Sequence, residues 1–281
     1  MEKKKKARLH PSVIIQEILL AIVTLISLIP VYYFVIGAFK DRKQIIKHPM
    51  TITTETFTLD NFPTVIKKLK YFESLRNTAT ITAVALLLLV VCASLAGYAI
   101  ARLSGRVYKI YYSILVALMV VPFIGCIIPL TVMSVKLKLY NTLLGCILIQ
   151  AAWNIPFGVF LYTGFMKGIP KEIEESAYMD GCSMLGVYLR IFLPLLKPVT
   201  ATCCIRQGVG IWNDFLVSNS LLSYGRTPTL MVGVNEFFGS RATEFGYAFA
   251  AIILASIPMI ILFLCLQKYF IKGLVAGAVK A

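Results

Sequence analysis

Residues 77–101 read Asn77-Thr-Ala-Thr-Ile-Thr-Ala-Val-Ala-Leu-Leu-Leu-Leu-Val-Val-Cys-Ala-Ser-Leu-Ala-Gly-Tyr-Ala-Ile-Ala101, a run without a single charge. A helix that spans a bilayer needs about 20 predominantly apolar residues, because a rise of about 1.5 Å each must cover about 30 Å of hydrocarbon. This run is long enough. Its Ala93, Gly97 and Ala101, at four-residue spacing, predict a face that packs closely on another helix. Outward from it, comparable blocks fall at about 13–39, 110–135, 141–165, 199–222 and 245–267. Pro30 inside the first is tolerable in lipid, whereas Pro122 and Pro129 predict a kink or local unwinding in the third. The expectation is an all-α membrane protein of six transmembrane helices, a single domain over 1–281 with both termini on one side.

Composition agrees with that reading. Apolar residues make up 58% of the chain and its mean hydropathy is +0.80, where a soluble domain is about half apolar. The net charge of +15 would suggest nucleic acid in a soluble protein. Here the basic residues sit at the ends of apolar blocks, so lipid headgroups are the expected partner and nucleic acid is not. The basic opening Met1–Arg8 reads as the flank of a retained first helix. The apolar stretch behind it is too long for a signal peptide and lacks a small-residue cleavage site. Seven scattered cysteines, with only His10 and His48 beside them, form neither a disulfide framework nor a metal-ligand spacing. No metal, cofactor or catalytic site is expected.

Charge orients the chain only weakly. Lys3 to Lys6, Arg8, Arg102, Arg106, Lys109, Lys167, Lys171, Arg190 and Lys197 would be cytoplasmic with the N-terminus inside, yet the first external segment carries Lys40, Arg42, Lys43, Lys47, Lys67, Lys68, Lys70 and Arg76. The segment 168–197 between the fourth and fifth blocks is too charged to span and reads as two short helices. Pro170 suits the first helical position, and Glu172, Glu174 and Glu175 complement the positive end of the helix dipole. Gly181 sits where a left-handed C-terminal cap belongs. Ser183 can cap the second helix, whose Leu185, Leu189 and Phe192 make an apolar stripe.

Within this segment, Glu175-Ser-Ala177, three residues, Gly181, nine residues, Ile191-Phe-Leu193-Pro194 resembles the EAA loop of ABC-importer permeases, Glu-Ala-Ala, three residues, Gly, nine residues, Ile-x-Leu-Pro. Ser176 in place of the first alanine is the one departure, and it is a small residue that fits the same packing. Trp212-Asn-Asp-Phe215, the closing Ala276-Gly-Ala-Val-Lys280 and the shorter Leu59-Asp-Asn-Phe62 are similar to patterns of the carbohydrate-uptake, maltose-type branch. The resemblance covers essentially the whole chain. It implies the type I importer core in a bacterial cytoplasmic membrane, both termini cytoplasmic, with a cytoplasmic coupling helix between helices four and five. It also implies a second, related permease subunit, a dimer of ATP-binding subunits that holds ATP and Mg, an extracytoplasmic solute-binding protein and a sugar substrate. On this resemblance Glu175 and Asp180 offer carboxylates to the ATPase groove and Ala177 permits close approach. Gly181 makes the turn, and Ile191, Leu193 and Pro194 anchor the loop to the bundle.

The chain itself has no Gly-x-x-x-x-Gly-Lys-Ser/Thr loop to cradle a nucleotide. For the solute path, polar residues inside spans are the candidates, because lipid makes them costly. Asn213 and Asp214 in the fifth block qualify, as do Trp153 and Asn154 in the fourth, an aromatic face and an amide of the kind a sugar uses. Arg206 lies eight residues before Asp214, on roughly one helix face, and reads more naturally as an anchor or structural partner. Other readings are a permease for amino acids, peptides or polyamines, an ion-coupled secondary transporter with Asp214 or Glu17 as relay, and a non-transporting membrane scaffold.

Overall fold

The computed structural model describes residues 11–54, 56–222, 226–239 and 245–278, the side chains of 11, 12, 14 and 266–278 apart. The basic run Met1–Arg8, His10, Val279 and Lys280 lie outside the described residues. All regular structure among the described residues is helical: α1 Pro11–Gly37, α2 Arg42–Lys47, α3 Asn61–Lys68, α4 Tyr71–Arg102, α5 Arg106–Leu118, α6 Phe123–Lys136, α7 Leu143–Lys167, α8 Glu172–Met179, α9 Met184–Val187, a π-helical turn Tyr188–Phe192, α10 Leu193–Leu195, α11 Lys197–Trp212, α12 Leu216–Leu221, α13 Leu230–Gly239 and α14 Phe245–Ala278. Four of these, α1, α4, α7 and α14, are long and apolar enough to cross a membrane unbroken. Two bent pairs, α5 with α6 at 105° and Met184–Leu195 with α11 at 69°, bring the number to six if each pair is one span.

The number of candidate spans among the described residues is thus four to six, and two of the expected blocks are broken. The third block breaks into two helices at Pro122, which flanks the start of α6 with extended backbone, while Pro129 sits inside α6. Proline there removes an N–H and disfavours helical geometry in the residue before it. In the fifth block α11 stops at Trp212, three residues intervene, and α12 resumes at Leu216. At about 1.5 Å per residue, the sixteen residues of α11 are shorter than the hydrocarbon they would have to cross.

Contacts divide the chain into two compact units, Met1–Lys67 with Phe237–Leu254, and Lys68–Glu236 with Ala255–Ala281. In the first, Phe249 of α14 sits edge-on to Tyr33 and Phe34 of α1, at 5.4 and 5.1 Å between ring centres. The end of α1 is closed by the Asn61 amide, which donates to the carbonyls of Ala38 and Lys40 at 2.7 and 2.9 Å. Lys40 is fully buried and its ammonium donates to the His48 carbonyl at 2.7 Å.

The second unit is built on α4 and α7. The small-residue face predicted on α4 meets α7: a Cβ on Gly158 would stand 2.7 Å from the Ala93 Cβ, and one on Gly97 2.8 Å from that of Tyr162. Such spacing lets backbones approach and gives dispersion contacts that lipid tails cannot replace. Leu89, Ala93, Val159, Tyr162 and Met166 form the buried seam, and it continues into Tyr188 and Phe192 below the charged loop.

Candidate functional site

The loop 168–197 takes its shape from two caps. α8 ends in a Schellman turn: Gly181 has φ +79°, its N–H donates to the Tyr178 carbonyl at 3.0 Å, and the Cys182 N–H donates to the Ala177 carbonyl at 3.0 Å. Two residues on, the Ser183 hydroxyl accepts from the Gly186 N–H at 3.2 Å and starts α9. Both caps match the sequence reading. The helix itself starts later than expected, at Glu172 with Lys171 flanking it, so Pro170 stands just outside.

The apolar stripe also differs. Of the expected stripe Phe192 is buried, but Leu185 and Leu189 are 61% and 49% exposed, and Val187, Tyr188 and Leu196 are buried with Phe192 instead. A π turn lies within the stripe. The Leu193 N–H reaches back five residues to the Tyr188 carbonyl, inserting an extra residue. Of the three expected anchors, Ile191 packs half-buried against the core, but Leu193 is 42% exposed and Pro194 is exposed. The buried side chains of this stretch are Tyr188, Phe192 and Leu196.

Beneath the loop lies a polar node that the sequence reading missed. Glu174, counted there only as part of an acidic first turn, is buried. One of its carboxylate oxygens lies 3.2 Å from the Arg102 Nε, and the other accepts from the Tyr98 and Tyr178 hydroxyls at 2.8 and 2.9 Å. Arg102 also donates to the Ile169 carbonyl at 2.8 Å and lies 5.0 Å over the Phe192 ring. Tyr98 meets Phe192 edge-on at 4.9 Å, and the Ser94 and Tyr188 hydroxyls share a 2.7 Å hydrogen bond. The last turns of α4 thus grip both halves of the loop. Burial recurs at Glu174 and Ala177, three residues apart on α8, and that spacing was the available signal. Ala177 consequently faces inward, whereas Glu175 and Asp180 are exposed, along with Met179 at 87% and Ile173 at 39%.

The solute-path candidates separate. Trp153 and Asn154 of α7 line a cavity of about 590 Å³ beside the α5–α6 break, together with Phe157, Arg206 and Gln207. Trp153 stands edge-on to Phe123 at 4.6 Å. The Asn154 amide donates to the Gln150 carbonyl at 2.7 Å and accepts from the Gln207 amide at 2.8 Å. Asn213 borders a different, mostly apolar cavity of about 650 Å³ with Trp212, Gly208 and Phe263. Asp214 caps α12, accepting from the N–H groups of Val217 and Ser218 at 3.1 and 2.9 Å and from the Ser218 hydroxyl at 2.9 Å. The shared helix face expected for Arg206 and Asp214 is lost because α11 ends between them. Arg206, read from sequence as an anchor, instead lines the first cavity.

Residues 90–275 match the family of binding-protein-dependent transport system inner membrane components. The chain belongs to that family. This permease is 38% identical to the melibiose/raffinose/stachyose import permease protein MelC of Bacillus subtilis over 94% of its own length and 95% of the relative's. It is 34% identical to the multiple sugar-binding transport system permease protein MsmG of Streptococcus mutans, over 94% and 95%. A solved bacterial ABC transporter that imports the acidic polysaccharide alginate has the same fold, with a TM-score of 0.75 over 92% of this chain and 95% of that one, at 21% identity. The ABC-importer permease expected from the EAA-like loop is borne out, as is its type I importer fold. The permease is a multi-pass inner-membrane component.

Proposed function

We propose that this permease forms the path by which a sugar or oligosaccharide enters a bacterial cell, driven by a separate ATPase that docks on loop 168–197. The observation that carries the substrate class is the near full-length likeness to a permease named for melibiose, raffinose and stachyose. Coupling is supported by the loop's outer face, where the Glu175 and Asp180 carboxylates stand among exposed Ile173, Met179 and Leu185. Apolar side chains rimmed by charge are what a protein partner covers. In this reading the loop and both termini are cytoplasmic, and ATP and Mg are held by a pair of partner subunits. A second permease completes the path, a solute-binding protein delivers the sugar outside, and both compact units serve one permease domain. ATP-driven closure of the partners moves α8, and the node at Arg102 and Glu174 passes that motion to α4. Trp153 and Asn154 face the solute, and Asn213 borders a second stretch of the path.

The test is uptake into proteoliposomes holding the complete importer, with labelled raffinose and its binding protein. Uptake that needs ATP inside and stops with vanadate supports the reading. Uptake that follows an ion gradient without ATP would make the chain a secondary transporter. ATP-driven uptake of an amino acid or polyamine in place of any saccharide would overturn the substrate class alone.

A further inference from the structure

The cavity beside the α5–α6 break holds an arginine that nothing so far explains. Arg206 lies near the middle of α11, and an arginine at membrane depth is expensive unless it faces water, a ligand or a counter-charge. Its guanidinium spends one N–H on the Gln207 carbonyl oxygen, at 3.1 Å, and stands 5.7 Å from the centre of the Phe157 ring. A guanidinium has five N–H donors and no acceptor. Gln207 is 5% exposed and engaged at both ends, taking that hydrogen bond and donating to Asn154, which in turn donates to Gln150. A relay running from the α7 backbone therefore ends on the arginine, whose side chain is itself exposed. Among the described residues that line the cavity there is no Asp or Glu.

Such a site has a definite chemistry. A guanidinium offers two parallel donors, which match a pair of neighbouring hydroxyl oxygens or a carboxylate. The nearby Trp153 ring offers an apolar face for the C–H side of a pyranose. A ligand ammonium would meet a positive charge that no acidic side chain among the described lining residues offsets. Resting on the reading that this cavity belongs to the solute path, we propose that Arg206 is the polar anchor of the cavity and its charge filter. It favours neutral and acidic saccharides and rejects amino sugars.

The experiment uses the complete importer in proteoliposomes, comparing the wild type with Arg206→Gln and Arg206→Lys. The probes are raffinose and a 6-amino-6-deoxy analogue of raffinose, with one binding protein throughout, so that its own selection cancels between variants. Arg206→Gln is expected to lower kcat/KM for raffinose uptake at least tenfold and to raise the analogue-to-raffinose ratio. Arg206→Lys, which keeps the charge and loses the fork, is expected to hold the wild-type ratio at a reduced rate. The yield of assembled complex and its melting temperature should match wild type in both, which separates a role at the solute from damage to folding or assembly. Raffinose uptake by Arg206→Gln within twofold of wild type would overturn the proposal and leave the sugar reading intact. A wild-type importer that hydrolyses ATP on demand yet moves no saccharide would overturn the sugar reading, and this inference with it.

Discussion

At the scale of single residues, Gly181 and Glu174 mark the two kinds of position in the loop. A Cβ on Gly181 would meet nothing within 4 Å, so the cost of replacing it is set by its φ of +79° alone. Left-handed backbone costs an ordinary residue about 1–2 kcal/mol, and asparagine less. Gly181→Val is therefore expected to lower the melting temperature of the purified complex and its affinity for the ATPase, with Gly181→Asn falling between. Glu174 is the opposite case, legible as an acid but not as a buried one. Its partner Arg102 comes from a different helix, and no local pattern announces that meeting. Removing one member of a buried pair leaves the other uncompensated, at roughly 3–5 kcal/mol. Arg102→Met and Glu174→Gln should each destabilise strongly, while the double variant loses clearly less than their sum, as a double-mutant cycle in thermal unfolding would read. Lys40 adds a pH signature outside the spans, since burial holds its ammonium below the ordinary lysine value of 10.5. Between the lowered value and 10.5 the unfolded chain binds more protons than the folded one, so this group adds stability as pH rises. Lys40→Met should flatten that alkaline rise in a pH series of melting temperatures.

At the scale of elements, hydropathy located the four unbroken membrane-length helices, because burial in lipid needs only length and apolarity. The small-residue face of α4 was legible for a related reason: at four-residue spacing Ala93, Gly97 and Ala101 can serve only a close approach. That packing predicts its own failure. Gly158→Leu would push its side chain into Ala93 and Leu89 and part α4 from α7. Overpacking of this kind costs about 1–3 kcal/mol, visible as a lower melting temperature and poorer yield of assembled complex. Gly164, on the same helix with open space around it, is the control. Gly164→Ala should be neutral or stabilising by up to about 1 kcal/mol. What hydropathy could not supply was backbone register. A count by 3.6 chose Phe192, which is buried, but set Leu185 and Leu189 beside it where the structure buries Val187 and Tyr188. In the same way Asp214 read as a charge within a helix, although it is the cap of a new one.

At the scale of the whole molecule, spans and loops can be drawn from the sequence, but the relation of loop to bundle cannot. The EAA-like spacing identified the loop and its family while leaving its attachment unseen, since the attachment is made by Ser94, Tyr98 and Arg102 on a helix that reads only as a membrane span. This attachment also bears on modularity. A loop with its neighbouring helix locked underneath is not a portable part. Exchanging residues 168–197 for those of another permease would strand Arg102 unless the graft also carried an acid at position 174 and hydroxyl-bearing rings at 178 and 188. Chimeras that transplant the loop alone should misassemble, and those that move the end of α4 with it should be restored. In such a protein the exchangeable piece is a joint together with its socket, and recombination between related importers would leave functional offspring only when both halves travel together.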